Sequence, residues 1–193
     1  MGIVPIEIRG YPIARVPPEA RLVLNEDLTA AIRQRGTYPV ILDSAMEHIG
    51  MCSWRHNAPD GEIRMRPINT ERGGNRFMRY VYLHELSHRL MRDMDQDLTG
   101  HYWMFAAMLA TLLRRTVQMY AGAAGSSFGG VNDLTMYDVS EEPEEHRGWA
   151  LQRALDISAE LAPLPISAEG CAEKIWRIWF NEKTQRLQEA KWK

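Results

Sequence analysis

The stretch Tyr82-Leu83-His84-Glu85-Leu86-Ser87-His88-Arg89-Leu90 decides how this chain is read. Leu83, Leu86, Leu90 and Met94 return at helical spacing, so the segment reads as an amphipathic helix with those residues toward a core. At 3.6 residues per turn, His84 and His88 then stand one above the other on a different face. Two imidazoles so placed can share one metal ion, and Glu85 beside them can hold a water and take its proton. The competing reading is a surface helix with two solvated histidines. The pattern lies between apolar runs and not in a polar tail, which favours the metal.

Working outward, the motif helix is expected over residues 76–94, broken by Asp95-Gln96-Asp97-Leu98-Thr99-Gly100. A second helix over 101–120 is apolar nearly all round and should be buried. Residues 121–132, rich in Gly, Ala and Ser, read as a loop, and two more helices are expected over 143–161 and 167–191, divided by Pro163 and Pro165. Upstream, residues 3–8 read as a strand. Pro17-Pro18 opens a helix carried by Leu22, Leu24, Leu28 and Ile32 and stopped at Gly36. A strand is expected over 38–42, followed by a hairpin of 49–54 with 62–65 around His56-Asn57-Ala58-Pro59-Asp60-Gly61. The fold class is therefore α+β: a small mixed or antiparallel sheet packed on the motif helix, followed by additional C-terminal helices.

Composition narrows the function. The chain has 193 residues, 45% hydrophobic and 25% charged, with a formal net charge of −2, so no global charge advertises nucleic acid or an anionic membrane. Its two cysteines, Cys52 and Cys171, cannot form a four-thiolate zinc site or a disulfide framework. The first residues lack a basic segment followed by an apolar run, and the most apolar stretch, 102–113, runs at once into Arg114 and Arg115. No signal peptide or membrane span is expected, and the protein reads as cytoplasmic.

Catalytic zinc takes three protein ligands and keeps one position open. His84 and His88 would supply two. A third histidine six residues beyond His88, preceded by a glycine, is excluded because positions 91 and 94 are both methionine. A glutamate on a following helix is excluded because none occurs between Arg89 and Ser140. His101, at the start of the next helix, remains the candidate, with Asp95, Asp97 and Asp133 as alternatives.

His84-Glu85-Leu86-Ser87-His88 followed by Gly100-His101-Tyr102-Trp103-Met104-Phe105 resembles the SprT-like zinc metallopeptidases, the group that includes Spartan. Gly50-Met51-Cys52-Ser53-Trp54 and Gly61-Glu62-Ile63-Arg64-Met65 resemble the hairpin that precedes the motif helix in that family. The likeness covers roughly residues 38–113. It implies a mixed sheet over the motif helix, zinc held by His84, His88 and His101, and Glu85 as general base. It divides the chain into a zincin-like metallopeptidase domain, 1–133, and a C-terminal helical extension, 134–193, packed on it. Two features depart from the family: Tyr102 replaces a glycine after the third histidine, and the C-terminal zinc ribbon of some members is missing.

The leading functional expectation is zinc-dependent hydrolysis of peptide bonds in a protein or peptide substrate. The carbonyl oxygen needs a donor besides the metal, for which Tyr102, Tyr137, His146, Arg64 and Arg66 are candidates. An extended substrate would add to an edge strand at 62–66. The alternative is a catalytically silent zincin-fold protein that binds and modulates a partner protein or nucleoprotein complex, using the stripe Ile175, Trp176, Trp179, Phe180 and Leu187. Nucleic acid has weaker support in Arg64, Arg66, Arg72, Arg76 and Arg79, since arginines commonly mark a solvated face. His48, His56 and His146 read as surface residues, and Cys52 as a small buried strand residue.

Overall fold

A computed structural model describes residues 2–3, 6–9, 23–24, 40–43, 45–55, 58–66, 74–95, 98–120, 130–161 and 168–191. The architecture is mixed α+β. The strands are β1 (Gly2–Ile3), β2 (Ile6–Arg9), β3 (Val23–Leu24), β4 (Val40–Asp43), β5 (Gly50–Arg55) and β6 (Ala58–Met65). The helices are α1 (Gly74–Met94), α2 (Trp103–Tyr120), α3 (Arg147–Leu161) and α4 (Ala168–Lys191). Short 3-10 turns at Gly130–Asp133, Met136–Val139 and Glu144–His146 join α2 to α3.

β1 and β3 pair antiparallel, and the larger sheet runs β2-β4-β6-β5. β2, β4 and β6 are parallel, and β5 returns antiparallel along β6 with Cys52 opposite Ile63. This order corrects three sequence expectations. Val23 and Leu24 form a strand against Ile3 and Gly2, where a helix was expected; pairing with a distant strand overrides local helical spacing. The remainder of that segment, 10–22 and 25–39, lies outside the described residues. Ala58, Pro59, Asp60 and Gly61 belong to β6 and not to the hairpin turn; the register shifts between Ser53 and Arg55, and such a bulge tolerates a proline. Residues 63–65 are hydrogen bonded on both sides, by β4 and β5, so among the described residues the sheet ends at β5 and not at β6.

α1 lies against β5 and β6 and also touches α2 and α4. Its expected apolar face is buried at Leu83, Leu86 and Leu90, while Met94 is half-buried. Burial extends further than amphipathicity predicts, because Val81, Tyr82, Ser87, Arg89 and Met91 are buried as well. The polar ones are paired within the helix: Ser87 Oγ donates to Leu83 O at 2.7 Å, and Arg89 Nε stands 3.2 Å from Asp93 Oδ2. Such a helix, enclosed by strands and helices, holds its side chains in fixed rotamers.

α2 is buried all round from Trp103 to Leu113, as its composition predicts. Fully buried alanines on α2 (Ala106, Ala107, Ala110) and α3 (Ala150, Ala154) let the two helices approach closely. Arg114 ties them at the far end, donating to Ser158 Oγ at 2.8 Å. One hydrophobic core runs from Ile63 and Met65 of β6 through α1, α2 and α3 to Cys171, Ala172 and Ile175 of α4. Of the C-terminal stripe, Ile175 is inside this core, Trp176 and Trp179 pack against it, and Phe180 is exposed. The side chain of Leu187 lies outside the described residues. Among the described residues, no helix is long and apolar enough to cross a membrane.

Candidate metal centre

α1 and the residues just before α2 bring three imidazoles to one point. His84 and His88 are one turn apart on α1, and the chain returns through the 98–101 turn to place His101 over them. His101 Nε2 lies 3.1 Å from His84 Nε2 and 3.1 Å from His88 Nε2, and the group offers ligand atoms all within 4.8 Å of one another. Among the described residues the cluster contains no carboxylate, so Asp95 and Asp133 are not part of it; Asp97 lies outside the described residues. Phe105, one turn into α2 and buried, forms the floor, with its ring centre 4.8, 4.2 and 4.9 Å from those of His84, His88 and His101.

The outward nitrogens have partners too. His84 Nδ1 stands 3.2 Å from Asp138 Oδ1, and His101 Nδ1 3.3 Å from Ser140 Oγ. His88 makes a backbone hydrogen bond with Thr99. Asp138 is itself fixed: Tyr80 Oη donates to Oδ1 at 2.6 Å, and Thr135 N donates to Oδ2 at 2.8 Å. Burial raises the Asp138 carboxyl, but hydrogen bonds from His84, Tyr80 and Thr135 outweigh it and leave the carboxyl below its usual range. Burial, reinforced by neighbouring His84 and His101, pushes His88 down to about 3, and burial beside His84 lowers His101. Both rings are therefore neutral at pH 7, the form that binds a metal.

The donor set fits a cation. With Nδ1 of His84 and His101 turned toward outer partners, Nε2 of His101 faces Nε2 of both His84 and His88. A tetrahedral ion held at about 2.0–2.1 Å would space such nitrogens by about 3.3–3.4 Å, close to the distances found. Outer partners of this kind set the tautomer and direction of metal-binding histidines.

Glu85, next to His84 on α1, lies against Gly50 of β5. It is buried, it takes a backbone hydrogen bond from Cys52, and burial raises its carboxyl to about 7 against the lowering effects of His84 and Cys52. Gly50 makes room for it: a Cβ there would stand 2.6 Å from Glu85 Oε1 and 2.5 Å from Val81 Cγ1. Cys52 is half-buried, and burial beside Glu85 pushes its thiol up to about 12, so it is no nucleophile at neutral pH.

Gly100 has a similar reason. A Cβ there would meet Glu141 Oε2 at 2.5 Å and the Tyr102 ring at 2.6 Å. Glu141 in turn accepts from His101 N at 3.2 Å and donates its own N–H to His101 O at 3.2 Å, which clamps the backbone of the third histidine. Glu142 adds a carboxylate at the α2 N-terminus, accepting from Trp103 N at 3.0 Å.

The structure separates the other residues singled out from the sequence. Tyr102 packs over Gly100 and, with Trp103, Trp149 and Trp179, lines a neighbouring cleft of about 600 Å³ that exposed His146 also borders. Arg66 donates to Glu47 O at 3.2 Å, and Arg64 stands 4.0 Å from Asp43. Arg72 lies outside the described residues, as do the side chains of Arg76 and Arg79 on α1. His48 is exposed, and His56 lies outside the described residues. Tyr137 lies on the histidines, 4.8 Å from the His101 ring and 6.1 Å from that of His84.

Sequence reasoning missed Asp138, Ser140, Glu141 and Tyr80. One signal was available: Thr135-Met136-Tyr137-Asp138 has capping-box spacing, and both bonds of that box form. Protein-family models, characterised proteins and solved structures contain no match to this chain.

Proposed function

We propose that the chain is a zinc-dependent peptidase that hydrolyses peptide bonds, with His84, His88 and His101 as ligands and Glu85 as general base. The observation that carries this reading is the convergence of three imidazoles that also meet a carboxylate, a hydroxyl and a backbone group. Three histidines are a donor set typical of catalytic zinc. Zinc bound there would polarise a peptide carbonyl and draw the pKa of water toward about 7.

The remaining chemistry belongs to the chain. Glu85, poised at about 7, takes a proton from the water that attacks the carbonyl carbon. As the C–N bond breaks, it returns that proton to the leaving amine. Asp138 stays charged and keeps His84 in one orientation. β5, which ends the sheet beside Glu85, is the strand along which an extended peptide would add. The outer partners Asp138, Ser140 and Glu141 come from residues 134–193, so the two parts of the chain, 1–133 and 134–193, act as one catalytic unit.

Protein purified without added metal should contain about one zinc per chain by elemental analysis. His88→Ala should lose both the zinc and hydrolysis of a denatured protein or mixed peptide library. Glu85→Gln should keep the zinc and lose hydrolysis, because an amide cannot take the proton. Full activity in Glu85→Gln would remove Glu85 as the base. Zinc-loaded wild type that cleaves nothing would instead favour the silent, partner-binding alternative.

A further inference from the structure

The peptidase reading leaves one role unassigned, the protein donor to the carbonyl oxygen. Five side chains were candidates in the sequence, and their placement differs sharply. Arg64 and Arg66 are engaged with Asp43 and Glu47 on the far side of the β5–β6 hairpin. Tyr102 is folded onto Gly100, and His146 borders the cleft beyond it. Tyr137 alone among the five lays its ring on the metal-binding histidines, tilted at 60° to His101 and within 21° of parallel to His84.

Two aromatic rings thus hold the cluster from opposite environments. Phe105 is 2% exposed and closes it from the core, whereas Tyr137 is 63% exposed and lies on its solvent side. The backbone of Tyr137 is fixed while its side chain is largely exposed. Its N–H donates to Thr135 Oγ1 at 3.3 Å, and its carbonyl accepts from Ser140 N at 3.1 Å. The next residue, Asp138, is locked to Tyr80, Thr135 and His84. An exposed phenol with an anchored backbone, beside the nitrogens that would hold the ion, is placed to meet whatever enters from solvent.

We propose that Tyr137 is a catalytic residue whose hydroxyl donates a hydrogen bond to the carbonyl oxygen of a bound peptide as negative charge develops there. The role rests on the peptidase reading. The phenol keeps its proton throughout, so no bond to Tyr137 forms or breaks. Loss of one such donor lowers kcat by about 10²–10³.

The test is Tyr137→Phe in the zinc-loaded full chain, with Met136→Ala, a neighbouring exposed residue of the same turn, as control. Zinc content, kcat, KM and the affinity for a phosphinic peptide, a tetrahedral anion, would be measured in each. Tyr137→Phe should keep one zinc and a KM within about twofold, while kcat and phosphinate affinity fall together by about a hundredfold. Met136→Ala should match wild type in all four. Unchanged kcat and phosphinate affinity in Tyr137→Phe would overturn the role and leave the peptidase reading intact. Loss of zinc in Tyr137→Phe would also overturn it, by making the phenol a ligand or a structural prop. Wild type that neither cleaves peptides nor binds the phosphinate would defeat the peptidase reading itself, and this role with it.

Discussion

The two walls of the three-histidine cluster each hold one buried carboxylate, and the two are driven in opposite directions. On the β5 side, Glu85 receives a single backbone hydrogen bond, from Cys52, and burial lifts it to about 7. On the side of the 130–142 turns, Asp138 collects Tyr80, Thr135 and His84, and stays below its usual range although it too is buried. Burial alone does not fix the outcome; the number of donors aimed at each carboxylate does. One wall supplies a group that exchanges a proton near neutral pH, and the other a group that does not. On the proposed peptidase reading, carboxylates separated in this way would divide the work of proton transfer and orientation.

Exchanging the amides should break this comparison most visibly. Asp138→Asn should weaken zinc binding by about 10–100-fold in a competitive chelator titration, the effect typical of losing an outer partner of a ligating histidine. Glu85→Gln, on the opposite wall, should leave zinc affinity within about twofold if it is no ligand. Equal losses in both variants would show that the walls are not specialised.

A second test loads the β5 wall sterically. Gly50→Ala places a methyl against Val81 and the Glu85 carboxyl, and should cost about 1–3 kcal/mol in urea unfolding while zinc content stays at one. Unchanged stability would mean that Glu85 moves freely and is not held by β5.

The smallest effect concerns acid. In the metal-free protein His88 and His101 titrate below their unfolded values, so unfolding takes up protons and stability falls as pH drops below about 6.5. Glu85 has the opposite sign: its folded pKa of about 7 exceeds the ordinary 4.5, so it favours the fold progressively as pH falls from 7 toward 4.5. Wild type should therefore lose stability gently over pH 6.5–4.5, and Glu85→Gln more steeply. Parallel pH profiles would show that Glu85 is not shifted.

Spacing made α1, α2 and the three histidines legible, because a helical period and a helix start are local properties of Leu83, Leu86, His84, His88 and Gly100-His101. Asp138, Ser140 and Glu141 were not, because they reach the histidines from about forty or more residues away through 3-10 turns that have no period. β3 was misread for the same reason, since Val23 and Leu24 owe their state to Ile3 and Gly2 and not to their neighbours. The burial of Arg89 and Ser87 likewise depends on the elements that surround α1.

The meeting of His84, His88 and His101 also has a consequence for the unfolded chain. Cys52 and Cys171 are free thiols, so no disulfide ties one part of the described chain to another. An ion shared by His84 and His101 would join positions 17 residues apart, and one shared by His88 and His101 would close a loop of 13. As a removable cross-link it would restrict the disordered ensemble much as a disulfide does, for which closing a 15-residue loop is worth about 3 kcal/mol. Chelation would then release the 98–101 turn and, through Ser140 and Glu141, loosen the approach to α3. The same three rings that would activate a substrate would also act as a reversible knot in the chain, coupling metal supply to the lifetime of the folded protein.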